Sequence, residues 1–371
     1  MPKLADDHPR KWEYSEHTRA KHEILTRYLG AWYSILGSSR ARRLVILDGF
    51  AGRAQYTGGE SGSPVLIYEA AVRAIERGVA QQISILCSEA NPFNFASLEA
   101  VKSRLPPCGG VEIRTQQQEF AVAAMPVAKW LAEQRGTIPT FALVDPFGFT
   151  GVPLAVIRAL MSVDHVEVLL TFMARDMSRF LTLDTAEETL DEFFGGDVWR
   201  ACVDPDEEAR TEGLLLRYRD VVRPDIALYA TPFRVFEDER QTTLYYLVHL
   251  TNHPLGMRRM KEAMVSQSAD MTFWPITLRP KNQLALDVSE GEPWPSLQKH
   301  LLEEYAGRSL TFEDLLNEDY PKGVWVEKQY RAAVLDLERT DGAPVAVVRG
   351  RPTASGRAPR GLKHGDVVKF E

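Results

Sequence analysis

The stretch Leu44-Val-Ile-Leu-Asp48-Gly-Phe50-Ala-Gly52-Arg-Ala54 decides how this chain is read. A short apolar run ends in an aspartate and passes at once into a glycine-bearing turn. In an open α/β sheet a ligand binds outside the carboxyl end of the first strand, where glycine lets the backbone approach it closely. Four further apolar runs follow, Ile83–Cys87, Val111–Ile113, Phe141–Val144 and Val166–Thr171. Helical periodicity fills about 64–77, 93–104, 120–135 and 152–162 between them. Five strands alternating with four helices predict a right-handed, doubly wound parallel sheet.

Outward from this core, Ile24, Leu25, Tyr28, Leu29, Trp32, Ile35 and Leu36 give residues 17–36 an amphipathic helical pattern ended by Gly37. After residue 172 the alternation stops, and a charged helical insertion occupies about 175–225, with a break at Val203-Asp-Pro-Asp. Phe233–Phe236 and Leu244–Leu250 read as a hairpin, and Pro254–Val265 as a helix. Five parallel strands closed by a late antiparallel hairpin make the expected fold α/β, a Rossmann-like sheet of the class I S-adenosylmethionine (SAM) methyltransferase type. The expected organisation is a helical cap at 1–40, the sheet domain at 41–274, a Pro/Gly-rich linker at 275–308 and a winged-helix-like α+β module at 309–371. In that last module Thr311–Asn317 and Glu327–Arg339 read as helices, and Pro344–Arg349 and Gly365–Phe370 as strands around a basic loop.

Bulk composition narrows the function classes. The 371 residues are 44% hydrophobic and 26% charged, as in a globular protein with a large core. A net charge of −7 argues against a generally basic nucleic-acid coat, though not against a local patch. Cys87, Cys108 and Cys202 lie far apart without CxxC pairing, which suits a reducing cytoplasm and excludes a disulfide framework or zinc knuckle. No signal-peptide pattern opens the sequence, and no apolar run approaches the roughly 20 residues that span a bilayer. A soluble cytoplasmic protein is expected, with no metal site and no membrane association; the pattern does not fix the oligomeric state.

Polar residues recur at the strand ends. Asp48, Phe50 and Gly52 match the Asp-x-Phe-x-Gly of methyltransferase motif I, with Ala54 where the pattern often has a second glycine. Glu89, closing the second strand, has the chemistry to accept hydrogen bonds from ribose hydroxyls; an ordinary helix start at Asn91-Pro92 is the competing reading. Glu119, after the third strand, stands where an acid can meet the adenine amino group. Asp145-Pro146-Phe147-Gly148 ends the fourth strand and resembles the Asn/Asp-Pro-Pro-aromatic motif of amino-methyltransferases, with Phe147 replacing the second proline. In that motif the acid and the proline carbonyl orient an amino nitrogen that is a poor nucleophile by itself. Lys21, one helical turn beyond His17, suits the methionine carboxylate of SAM. Arg175 and Arg179, with Asp176, follow the fifth strand. Within residues 344–371, Arg349, Arg351, Arg357, Arg360, Lys363 and Lys369 face two acids, Asp366 and Glu371, a surplus that resembles a phosphate-contacting wing.

With these residues placed, the chain resembles the three-Cys-motif partner protein (TcmP) family. The resemblance runs through His17-Thr-x-x-Lys21-His-x-Ile-Leu, Asp48-Gly-Phe-Ala-Gly, Gly62-Ser-Pro, Asp145-Pro-Phe-Gly, Leu170-Thr-Phe-Met-Ala-Arg-Asp176 with Arg179-Phe, and Leu250-Thr-Asn-His-Pro-Leu-Gly-Met, over most of residues 17–265. It implies a methyltransferase-like domain and a three-cysteine-motif protein partner. Two readings stay open. One is a SAM-dependent methyltransferase acting on a nitrogen of a base in RNA or DNA. The other is a non-catalytic Rossmann-like scaffold that recruits the three-cysteine protein or a nucleic acid. A hydrolase using Asp145 is disfavoured by the lack of a Walker lysine or a metal-ligand cluster.

Overall fold

The computed structural model describes residues 12–37, 43–237, 242–268, 271–273, 295–340, 342–349 and 361–371. The chain divides into two units, Met1–Gln267 with Thr272–Arg279, and Ser268–Met271 with Pro280–Glu371. The first unit runs α1 (Glu16–Gly37), β1 (Leu44–Asp48), α2 (Ser63–Glu76), β2 (Ile83–Ser88), α3 (Pro92–Lys102), β3 (Val111–Gln116), α4 (Phe120–Glu133), β4 (Thr140–Val144), α5 (Leu154–Met161) and β5 (Val166–Phe172). It continues with α6 (Ala174–Phe180), α7 (Asp184–Phe194), a 3-10 turn at Val198–Cys202, α8 (Glu207–Val222), β6 (Tyr229–Phe236), β7 (Thr243–Thr251), α9 (Pro254–Val265) and β8 (Thr272–Phe273).

These strands form one eight-stranded sheet in the order β3-β2-β1-β4-β5-β7-β6-β8. β1 to β5 pair in parallel, and β7 inserts antiparallel between β5 and β6. The strand order reverses between β1 and β4, the switch point where such sheets open a crevice at their carboxyl edge. This is the class I methyltransferase-type sheet that the sequence predicts. β8 is an addition: two residues paired in parallel with β6 at the sheet's far edge.

The central strands β1, β4 and β5 are buried at every position, as expected for parallel strands covered on both faces. The helical insertion is part of this core. Phe193 and Tyr218 pack on Phe172 of β5 with ring centroids 5.6 and 5.2 Å away. Truncating either ring would cost about 3–5 kcal/mol, the range for large aromatic side chains in a core. At the amino edge, Glu167 of β5 is a buried acid in an apolar strand. It accepts from Tyr28 (2.5 Å), Trp32 (3.1 Å) and a ring nitrogen of His249 (3.0 Å), which ties α1 and β7 to β5.

The second unit holds α10 (Pro295–Glu304), β9 (Ser309–Thr311), α11 (Phe312–Asp319), α12 (Glu327–Arg339), β10 (Val345–Val348) and β11 (Val367–Phe370). Its three strands lie in the order β10-β11-β9. Part of the expected linker is thereby corrected: 295–304 is helical because Leu297 and Leu301, four apart, are buried together. A buried acid organises this core too. Asp319 accepts from Tyr330 (2.7 Å) and Tyr305 (3.3 Å) and pairs with His300 (2.8 Å). No helix among the described residues is long and apolar enough to cross a membrane.

Candidate active site

The carboxyl edge of the first unit gathers residues from four strand ends and α1. Asp48 ends β1 fully buried, and among the described residues neither of its oxygens finds a hydrogen-bond partner of normal geometry. Burial pushes its carboxyl up to about 7; the Ser63 hydroxyl and Phe50 amide temper this, and the charges of Asp145 and Glu89 add to it. Gly52 takes a left-handed φ of +60°, and so does Ala54. The alanine therefore holds a left-handed conformation that glycine adopts more readily, at a cost of roughly 1–2 kcal/mol.

Glu89 closes this turn from β2. Its two oxygens accept the amides of Gly52 (2.9 Å) and Asn91 (2.8 Å). Asn91 also caps α3, accepting from Phe93 and Asn94. The helix-start reading of this segment is therefore seen at Asn91, while Glu89 braces the turn through backbone amides. Phe50 packs on Phe120 at 5.5 Å. Glu119 is exposed at the start of α4 and makes no side-chain cap.

Across the switch point, Asp145 follows β4. Lys21 of α1 donates to its Oδ2, and Thr171 of β5 donates to its Oδ1 at 2.6 Å. The paired side chains of Lys21 and Asp145 keep 13% and 22% of their surface exposed. Burial pushes the Asp145 carboxyl up, but the Lys21 charge and the two hydrogen bonds outweigh it and hold it below the ordinary carboxylate range. Asp145 is thus an ionised acceptor and a weak base. Pro146 is buried, whereas the Phe147 ring is 55% exposed.

Sequence reasoning missed an aromatic group that borders this site. Trp12 meets Phe147 edge-on at 5.5 Å, and Arg53 lies 4.9 Å over its ring. A Cβ at Gly52 would come within 2.9 Å of the indole, so glycine is required for this packing as well. Tyr14, His22 and Tyr56 pack mutually at 5.1 to 5.7 Å. Burial, then Lys21, lowers His22 to about 3 despite the opposing pull of Asp145, so its ring is neutral. The available signal was the density of aromatic residues just before a helix that carries a lysine on its polar face. Thr171 had one too, as a hydroxyl ending an apolar strand.

The predicted cofactor and catalytic residues thus share the carboxyl edge of one sheet. The basic residues fare differently. Arg175 pairs with Glu207 and Glu237, and Arg349 makes a two-pronged pair with Glu338 at 2.6 and 2.5 Å. Arg179 and Lys363 are exposed. Arg351, Arg357 and Arg360 lie outside the described residues.

No family model matches the chain, and no curated protein matches it in sequence. Similar solved structures include protein LPL1258 from Legionella pneumophila, at 12% identity and a TM-score of 0.40, covering 67% of this chain and 90% of that one. An O-methyltransferase from Bacillus cereus in complex with SAH gives 12% identity and 0.34, covering 65% and 83%. A loganic acid methyltransferase with SAH gives 10% and 0.26, covering 67% and 98%. The fold assignment above rests on the chain's own strand order.

Proposed function

We propose that the first unit is a SAM-dependent methyltransferase that modifies an amino nitrogen of a nucleic acid base. The observation that carries this reading is the set of charged side chains gathered at the carboxyl ends of β1, β2 and β4. Asp48, Glu89 and Asp145 lie close enough that the latter two raise the first, and Lys21 pairs with one of them. Such a set of charges suits a ligand that brings two positive centres and one carboxylate, which is the charge pattern of SAM. Asp48 and Gly52 would hold its amino-acid part, Glu89 the ribose, Glu119 the adenine edge, and Lys21 the carboxylate.

When bound, SAM supplies an electrophilic methyl group on a sulfonium. The protein's contribution is to position the nucleophile. Asp145, ionised and fixed by Thr171, would accept an N–H of the acceptor, and the exposed Phe147 ring offers a stacking face for its base. Because Asp145 is held low, it is unsuited to removing a proton first. The amino nitrogen would lose its proton to water after the new C–N bond has made it acidic. A base in a duplex would have to be flipped out, a cost that a single strand avoids.

The second unit supports a nucleic-acid substrate through its element order of helix, strand, two helices and a hairpin, that of a winged helix. Its exposed Lys363 would meet phosphate, the role that the sequence also suggests for Arg351, Arg357 and Arg360. The TcmP resemblance adds a three-cysteine-motif protein as partner. The three free cysteines suit a cytoplasmic setting. The test is calorimetric titration with SAM and its demethylated product S-adenosylhomocysteine (SAH), followed by transfer of labelled methyl to RNA and DNA. Micromolar binding and label in either polymer are expected. Binding of neither compound would leave the sheet a non-catalytic scaffold.

A further inference from the structure

We propose that Lys21 is an exchangeable latch on Asp145: it occupies the carboxylate before cofactor binding, then transfers to the cofactor's carboxylate and opens Asp145 to the acceptor. This rests on the methyltransferase reading above and adds an order of binding to it.

Two donors hold Asp145, one on each oxygen, and they differ in mobility. Thr171 is a buried residue of a central strand, so its hydroxyl is fixed. Lys21 reaches Asp145 on a flexible four-carbon stem from another element. An acceptor amino group that must donate to Asp145 competes with the movable donor. Among the described residues, the other groups that sense the Asp145 charge are the neutral His22 ring, the Tyr56 and Tyr245 hydroxyls and the Asp48 carboxyl, none of which is a cation. Withdrawing Lys21 would leave a poorly solvated carboxylate without its counter-charge, a costly state. Arrival of an N–H donor offsets that cost. Cofactor and acceptor therefore favour the same Lys21 position, and each should strengthen binding of the other.

The test compares SAH with 5′-methylthioadenosine, which keeps the nucleoside and lacks the carboxylate, by calorimetry on the full-length protein. In Asp145→Asn, Lys21 no longer has to leave an ion pair, so SAH should bind about fivefold tighter or more, the low end of typical site-to-site coupling. In Lys21→Gln, SAH should bind about tenfold weaker or more, from loss of a charged hydrogen bond. Methylthioadenosine should bind all three proteins equally. Unchanged or weaker SAH binding by Asp145→Asn would overturn the latch, because Lys21 would then be static or serve both carboxylates at once. Parallel losses for both ligands in Lys21→Gln would also overturn it, by showing that Lys21 acts through the fold. If that variant does not fold, the Asp145→Asn comparison decides alone. Failure of the wild type to bind either ligand would instead remove the methyltransferase reading itself.

Discussion

Lys21 of α1 donates a hydrogen bond to Asp145, 124 residues further along the chain. This contact joins a segment that precedes the sheet to the end of its fourth strand. It also holds the Asp145 carboxyl below the ordinary carboxylate range, and so ionised. Asp145→Ala should lower methyl transfer by about 10²–10³, the loss typical of one preorganised polar contact. SAH binding should not weaken, because the interaction belongs to the reacting geometry. Wild-type turnover in this variant would shift the role to another residue.

Glu89 should behave in the opposite way. Glu89→Ala removes an acceptor shared by the Gly52 and Asn91 amides and, on the present reading, by the ribose. SAH affinity should fall by about 1–3 kcal/mol. An intact melting transition with unchanged affinity would take Glu89 out of the cofactor site.

Asp48 makes stability depend on pH in an unusual direction. Burial raises its pKa from 3.8 to about 7, so the folded state holds a proton that the unfolded chain has lost. Stability from this group is full below about pH 4 and falls as pH rises towards 7, by on the order of 4 kcal/mol. The depressed carboxyls Asp145 and Glu167 act the other way. Their stabilisation is present above the unfolded value and is lost only as pH falls through their lower folded values. Urea unfolding between pH 5 and 8 should therefore show a decline that Asp48→Asn flattens. An equal slope in wild type and variant would contradict this account.

The central parallel strands were legible because strands buried on both faces read as apolar runs, as in Phe141–Val144. β8 was not, since two residues carry no period. α10 was hidden because Leu297 and Leu301 are its only buried residues amid Pro, Gln, Lys and Glu. At the site, strand-end acids could be read from position alone. The Lys21–Asp145 pair could not, because distant segments meet only once the sheet is assembled. Ala54 looked like a departure from the glycine pattern, yet its φ of +60° preserves the turn.

Glu167 is an acid within an otherwise apolar strand, and its partners Tyr28 and Trp32 stand four apart on α1. Tyr28→Phe should cost about 1.5–3 kcal/mol, the value of a hydrogen bond to a charged group. SAH affinity should be unchanged, because Glu167 lies at the amino end of β5, away from Asp145. Denaturant titration with and without SAH measures both. A loss of affinity with unchanged stability would mean that this network serves the site.

The basic residues sort by whether an acid already holds them. Arg349 is committed to Glu338 at 2.6 and 2.5 Å, so Arg349→Ala should lower the stability of the second unit. Lys363 and Arg179 are exposed, so Lys363→Glu and Arg179→Glu should leave melting unchanged. If they contact phosphate, each should weaken binding to a labelled single-stranded oligonucleotide. Each should also reduce the slope of log affinity against log salt by about one. The slope separates a lost contact from a general change of charge, because a remote charge reversal shifts affinity without removing a released counterion. Oligonucleotide binding that keeps its wild-type salt slope in both variants would place the nucleic-acid surface elsewhere on the chain.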